Sequence, residues 1–132
     1  YAKGMGAFLD IYMSRARYFS DQDIDDLRDQ FLYTIKLATD LYSDKIFRKY
    51  DTKTSNWSSK AQTAFFDAVM VGLSSFVDRR EELLNIRDKI LDETKKLFID
   101  NAPGTFTGRG NTKADVLERI TKYKDMISNC LA

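Results

Sequence analysis

The stretch SKAQTAFFDAVMVGLSSF, Ser59–Phe76, decides the fold class. Drawn as a helix, it places Ala61, Ala64, Phe65, Phe66, Ala68, Val69, Met70, Val71, Leu73 and Phe76 around nearly its whole circumference. A helix that is apolar on most sides is buried by neighbours all round. Ala61, Ala64, Ala68 and Gly72 recur at steps of three and four, so they share one face. Side chains this small let another helix come close. The stretch predicts a central helix inside a compact all-α bundle of four to five helices.

The partners lie on both sides of it. Upstream, Ser20 or Asp21 can cap a helix whose first turns carry Asp23, Asp25 and Asp26, where the helix dipole favours negative charge. Ile24, Leu27, Phe31, Ile35, Ala38 and Tyr42 then recur at helical spacing, giving one apolar stripe that calls for a partner helix. A helix is also expected over about Ala7 to Arg17, on the broad apolar face of Phe8, Leu9, Ile11, Tyr12 and Met13. Asp44 to Lys60 reads as a break rich in turn formers, with a short helical turn near Lys45 to Arg48. Downstream, Arg79 to Asp100 reads as one helix, with Leu83, Ile86, Ile90, Leu97 and Phe98 inward and a densely charged outer face. Ala102 to Asn111 reads as a loop, and a last helix starts near Thr112 with Val116, Leu117, Ile120, Tyr123 and Ile127 inward. No convincing strand is found.

Composition agrees with this outline and removes much chemistry. The chain has 132 residues, of which 43% are hydrophobic, and only one is proline. That length suits a single helical domain, residues 1–132, able to bury roughly two-thirds of its unfolded surface. A first residue of Tyr1 suggests a piece of a longer chain. Twenty-one Lys and Arg against 20 Asp and Glu leave a net charge of +1, which excludes a polyanion-binding tail and an acidic disordered segment. With no histidine and a single cysteine, an internal disulfide, the usual zinc centres and His-dependent catalysis are excluded. Cys130 reads as an unimportant thiol on a segment expected to fray. No signal peptide or membrane span is seen, so the expectation is a cytoplasmic protein with no membrane partner.

No catalytic or metal-binding set emerges, and no cofactor is expected. Asp25 and Asp29, one turn apart, are explained by the helix dipole. Gly104, Gly108 and Gly110 precede a helix, but the spacing and the following Lys-Ser/Thr of a Walker loop are missing. Charge is nevertheless uneven. Lys45, Arg48, Lys49, Lys53 and Lys60 face a single acid, Asp51, in their segment. Arg109 and Lys113 stand before the last helix, whose N-terminus is a general anion site. Lys45, Arg48, Lys49, Lys53, Arg109 and Lys113 are therefore the candidate contacts to nucleic-acid phosphates. Solvated loops, or a contact with an acidic surface such as the Asp-rich helix start, are the competing readings.

Four phrases carry a resemblance. They are KGMGAFLDIYM (Lys3–Met13), LRDQFLYTIKLATDLYSDKIFRKY (Leu27–Tyr50), KAQTAFFDAVMVGLSSF (Lys60–Phe76) and TFTGRGNTKADVLERI (Thr105–Ile120). In order and spacing they resemble the helical C-terminal region of the DUF262 proteins, the family of GmrSD-type restriction and phage-defence systems. Phe47, Arg48, Phe66, Asp67, Arg119 and Ile120 sit on the family-like phrases. In that family a ParB-like α/β domain with an Asp-Gly-Gln-Gln-Arg phrase comes first and is linked to nucleotide hydrolysis and DNA processing. That phrase is absent here, so no active-site residue carries over. The resemblance implies a non-catalytic helical domain whose partners are an upstream domain of the same protein, DNA and a second copy of the chain. The alternative is a helical protein–protein interaction module unrelated to DNA, binding an amphipathic helix.

Overall fold

The computed structural model describes residues 20–101, 104–106 and 112–132. The helix expected over Ala7–Arg17 lies outside them, as does most of the loop expected over Ala102–Asn111. The described residues are mostly α-helical. They form α1 (Asp21–Tyr42), β1 (Arg48–Asp51), β2 (Asn56–Ala61), α2 (Thr63–Ser74), α3 (Arg80–Asn85), α4 (Arg87–Asp100) and α5 (Lys113–Leu131).

Two helix starts are fixed by the residues that predict them. Ser20 caps α1: its Oγ accepts from the Asp23 N–H at 3.1 Å, and the Asp23 carboxylate accepts from the Ser20 N–H at 3.1 Å. Thr112 and Asp115 repeat this reciprocal box at the start of α5. Each box satisfies backbone donors that the first turn would otherwise leave without a partner. The other end of α1 is closed from outside. No basic residue lies in its last turn, and Arg87 supplies one, donating to the Leu41 carbonyl at 2.9 Å and to Ser43 Oγ at 2.8 Å. A cation at that end complements the helix dipole. Arg80 adds an ion pair to Asp40.

α2 packs against both α1 and α5. Eight of its twelve residues are buried. Gly72 is the close-approach point: a Cβ there would stand 2.5 Å from Cδ1 of Tyr123. Phe65 anchors an aromatic cluster, with ring centroids 5.0 Å from Phe98, 5.9 Å from Phe106 and 5.9 Å from Tyr123. Edge-on packing of this kind adds to the area term. Phe106 is buried and pins the α4–α5 connection to the core.

One polar thread crosses this core. The hydroxyls of Tyr42 and Tyr123 share a hydrogen bond of 2.7 Å, and Tyr42 also bonds Thr94 Oγ1 at 2.9 Å. Thr94 in turn donates to the Ile90 carbonyl at 2.7 Å. Burial pushes the Tyr42 pKa up to about 12, so the phenol is neutral. One hydroxyl from each of α1, α4 and α5 thereby fixes how those helices meet.

Four expectations are corrected. The all-α outline gives way to a mostly α fold, because β1 and β2 pair as an antiparallel hairpin within the expected break. Its register sets Tyr50 opposite Trp57, with rings 5.5 Å apart. The strands carry no alternating apolar pattern, and the turn is closed by Ser55 at φ 55° instead of a glycine. The hairpin also delays the helix expected from Ser59 until Thr63. The single helix expected over Arg79–Asp100 is two, separated at Ile86, whose φ of −111° and ψ of 26° leave the helical region. Cys130 does not lie on a frayed end. It is buried in the last turns of α5, with Sγ 3.9 Å from Met126 Sδ.

Two substitutions test the packing. Phe65→Ala removes the hub of the aromatic cluster and is expected to cost about 3–5 kcal/mol in chemical denaturation. Gly72→Ala gains helix propensity worth about 1 kcal/mol but overpacks against Tyr123, and a net loss of about 1–2 kcal/mol is expected.

Candidate nucleic-acid interface

The predicted basic residues fall into separate places. Lys45 ends a 3-10 turn at Ser43–Lys45 and lies 4.0 Å from the Asp44 carboxylate. Arg48 and Lys49 are half-buried on β1. Lys53 is exposed in the hairpin turn, where its backbone N–H donates to Asp51 Oδ1 at 2.9 Å. Lys113 is exposed in the first turn of α5. Arg109 lies outside the described residues. The hairpin is fastened to the bundle by Phe47, whose ring centroid is 4.7 Å from that of Phe66, and by packing of β1 on α4. Lys113 belongs to the helix that packs on α2 and α4. Arg48, Lys49 and Lys53 therefore share the hairpin, and the main packing contacts do not join Lys113 to it.

α4 adds a residue that sequence reasoning missed. Lys95 Nζ stands 5.6 Å from the centroid of the Tyr50 ring. A cation over a ring face is attracted by the ring quadrupole. No helical pattern announces this contact, because its two members are on a helix and on a strand paired across the chain.

A second arrangement lies in the core. Asp67 on α2 and Arg119 on α5 are both 1% exposed. The Asp67 carboxylate oxygens accept no hydrogen bond among the described residues. Burial pushes the Asp67 pKa up from 3.8 to about 6, and the opposing pull of the Arg119 charge is the smaller effect. Burial also lowers the pKa of Arg119, against the attraction of Asp67 and Asp115. Sequence reasoning places both residues on family-like phrases but does not pair them. Acid and base at such positions carry no spacing signal when they come from different helices.

A groove of about 440 Å³ runs between α4 and α5. Lys89, Lys96 and Lys122 line it together with Glu93, Asp100 and Asp125. Equal numbers of both signs give it no preference for an anion or a cation. Among the described residues, no group of three His, Cys, Asp or Glu side chains is placed to hold a metal. None of the described helices is long and apolar enough to cross a membrane. No family model, curated protein or solved structure matches the chain.

The Asp67 environment has a pH consequence. Its carboxyl binds a proton more tightly folded than unfolded, so its contribution to stability is full below about pH 4 and lost as pH rises through about 6. A rise of that size is worth about 3 kcal/mol. The stability difference between wild type and Asp67→Asn, measured by urea unfolding, is expected to shift against wild type by about 2–3 kcal/mol between pH 4 and pH 7.5. A pH-independent difference would contradict the assignment.

Proposed function

We propose that the chain is a non-catalytic helical domain of a DUF262-like, DNA-directed bacterial defence protein. In this reading α2 is its central helix, the bundle supports a nucleotide-hydrolysing domain of the same protein, and basic residues outside the core contact DNA phosphates. One observation carries the reading. The Phe-Phe-Asp phrase of α2 and the Val-x-x-Arg-Ile-like phrase of α5, far apart in sequence, contribute the two buried charges Asp67 and Arg119 to one helix–helix contact. Buried charges are costly to keep and are expected where a fold is specified by them. The phrases behind the resemblance are thus structural ones, as suits a supporting domain. The hairpin supplies the cations for phosphate contact.

A second reading, an interaction module for an amphipathic helix, is favoured by the exposed apolar residues of α1. Phe31, Leu32 and Tyr33 are 51%, 53% and 64% exposed. They lie on the half of α1 that extends beyond its buried residues Thr34, Leu37, Ala38, Leu41 and Tyr42.

Titration of a labelled 20-base-pair duplex separates the two. Weak, sequence-indifferent binding at low salt, falling steeply as salt rises, is expected for phosphate contacts. No binding at low salt would leave the interaction module. The purified chain is also expected to turn over neither nucleotides nor DNA. Turnover abolished by a point substitution within this chain would overturn the non-catalytic assignment.

A further inference from the structure

Ion pairing among the described residues is uneven. Arg28, Lys45, Arg79, Arg80, Lys96 and Lys122 each have a carboxylate partner. Of the described cations without one, Arg87 and Lys89 donate to backbone carbonyls and Lys36, Lys113 and Lys124 are scattered over α1 and α5, whereas Arg48, Lys49, Lys53, Lys60 and Lys95 lie in one region. These five belong to one hairpin and the helix behind it, and the hairpin itself contributes one acid, Asp51. Cations that form no internal ion pair suit a polyanion, because binding it releases counterions without breaking such pairs.

The shape of the cluster and the state of its aromatic rings narrow the class. A two-stranded antiparallel ribbon fits the major groove of duplex DNA, about 12 Å wide. A single strand would instead need free ring faces on which to stack bases. Here Tyr50 and Trp57 are half-buried and packed edge-on against each other, and Lys95 covers the Tyr50 ring. The rings brace the ribbon and are not open platforms. We propose that the β1–β2 hairpin, with Arg48, Lys49, Lys53 and Lys60, and Lys95 of α4 beneath it, forms the docking surface for the sugar–phosphate backbone of duplex DNA. The N-terminus of α5 with Lys113 lies outside this surface. The inference rests on the DNA reading of the proposed function and assigns it to one element.

The test compares two double charge reversals in the full chain that change net charge equally. Lys60→Glu with Lys95→Glu alters the hairpin surface. Lys113→Glu with Lys124→Glu alters exposed positions of α5. The probes are a fluorescein-labelled 20-base-pair duplex and the corresponding single strand. For wild type, about four phosphate contacts give a log–log salt slope on the order of −3 to −4 on the duplex. The hairpin pair is expected to weaken low-salt affinity at least tenfold and to flatten that slope by about two. The α5 pair is expected to change affinity by less than about threefold and to leave the slope alone.

Equal losses from both pairs would overturn the hairpin assignment while leaving DNA binding intact. No wild-type binding at low salt would overturn both this inference and the DNA reading. Lys60→Gln with Lys95→Gln removes the two charges without adding repulsion. It covers the case in which the Glu pair does not fold, and should flatten the slope by the same amount. Trp57 is the chain's one tryptophan, so its emission reports on the ribbon directly. Tighter binding of the single strand with strong quenching of Trp57 would show base stacking and overturn the duplex claim.

Discussion

The face of Tyr123 lies where a Cβ on residue 72 would have to be. Because Gly72 has none, α2 and α5 come close enough for the same tyrosine to do two further things. Its ring meets Phe65 edge-on, and its hydroxyl reaches Tyr42 on α1. From Tyr42 the thread continues to Thr94 on α4. A single missing methyl group thus sets the separation at which an aromatic cluster and a hydroxyl network can both close. Either alone would tolerate some sliding of the helices. Together they require the ring to be packed and its oxygen to be bonded in the same pose, which is how a polar network selects one arrangement among several apolar ones.

Most of this bundle was legible in the sequence because its information is periodic and local. Ser20 and Thr112 announce helix starts through the acid three residues on, and the Ala38 to Tyr42 end of the α1 stripe is buried as its spacing implies. Gly72 was legible as a small residue on a shared face, although not as the seat of Tyr123. What escaped has no periodic signal. The hairpin has no alternating apolar pattern: β1 is half-buried at every position, and its turn uses Ser55 where a glycine would have been a signal. The break at Ile86 interrupts a sequence whose composition is helical on both sides. Propensity does not mark it, and the residue that follows the break, Arg87, reaches across to the Leu41 carbonyl on α1.

The candidate site divides the same way. Cations are visible in a sequence, but whether a carboxylate neutralises each one is decided by packing. Arg80 and Arg48 look alike as letters and differ in that Arg80 has Asp40, a residue of another helix, beside it. Lys95 looked like one charge among many on a solvated face and instead sits over a strand tyrosine. Asp67 is the opposite case, a charge inside an otherwise apolar stretch, and only the meeting of α2 and α5 discloses that the Arg119 charge acts on it.

The place of α5 in chain order has a consequence for biosynthesis. Tyr123, Met126, Ile127 and Cys130 complete the core, yet they belong to the last of the described helices to be made. While the ribosome is still translating them, α1, the hairpin and α2 are already outside the exit tunnel with the buried side of α2 uncovered. At about 5–20 residues per second, some seconds pass between the emergence of Phe65 and that of Tyr123. During that interval the nascent chain displays Phe65, Val69 and Leu73 to solvent, and exposed apolar surface of this kind is prone to aggregate. The completed protein hides that surface entirely.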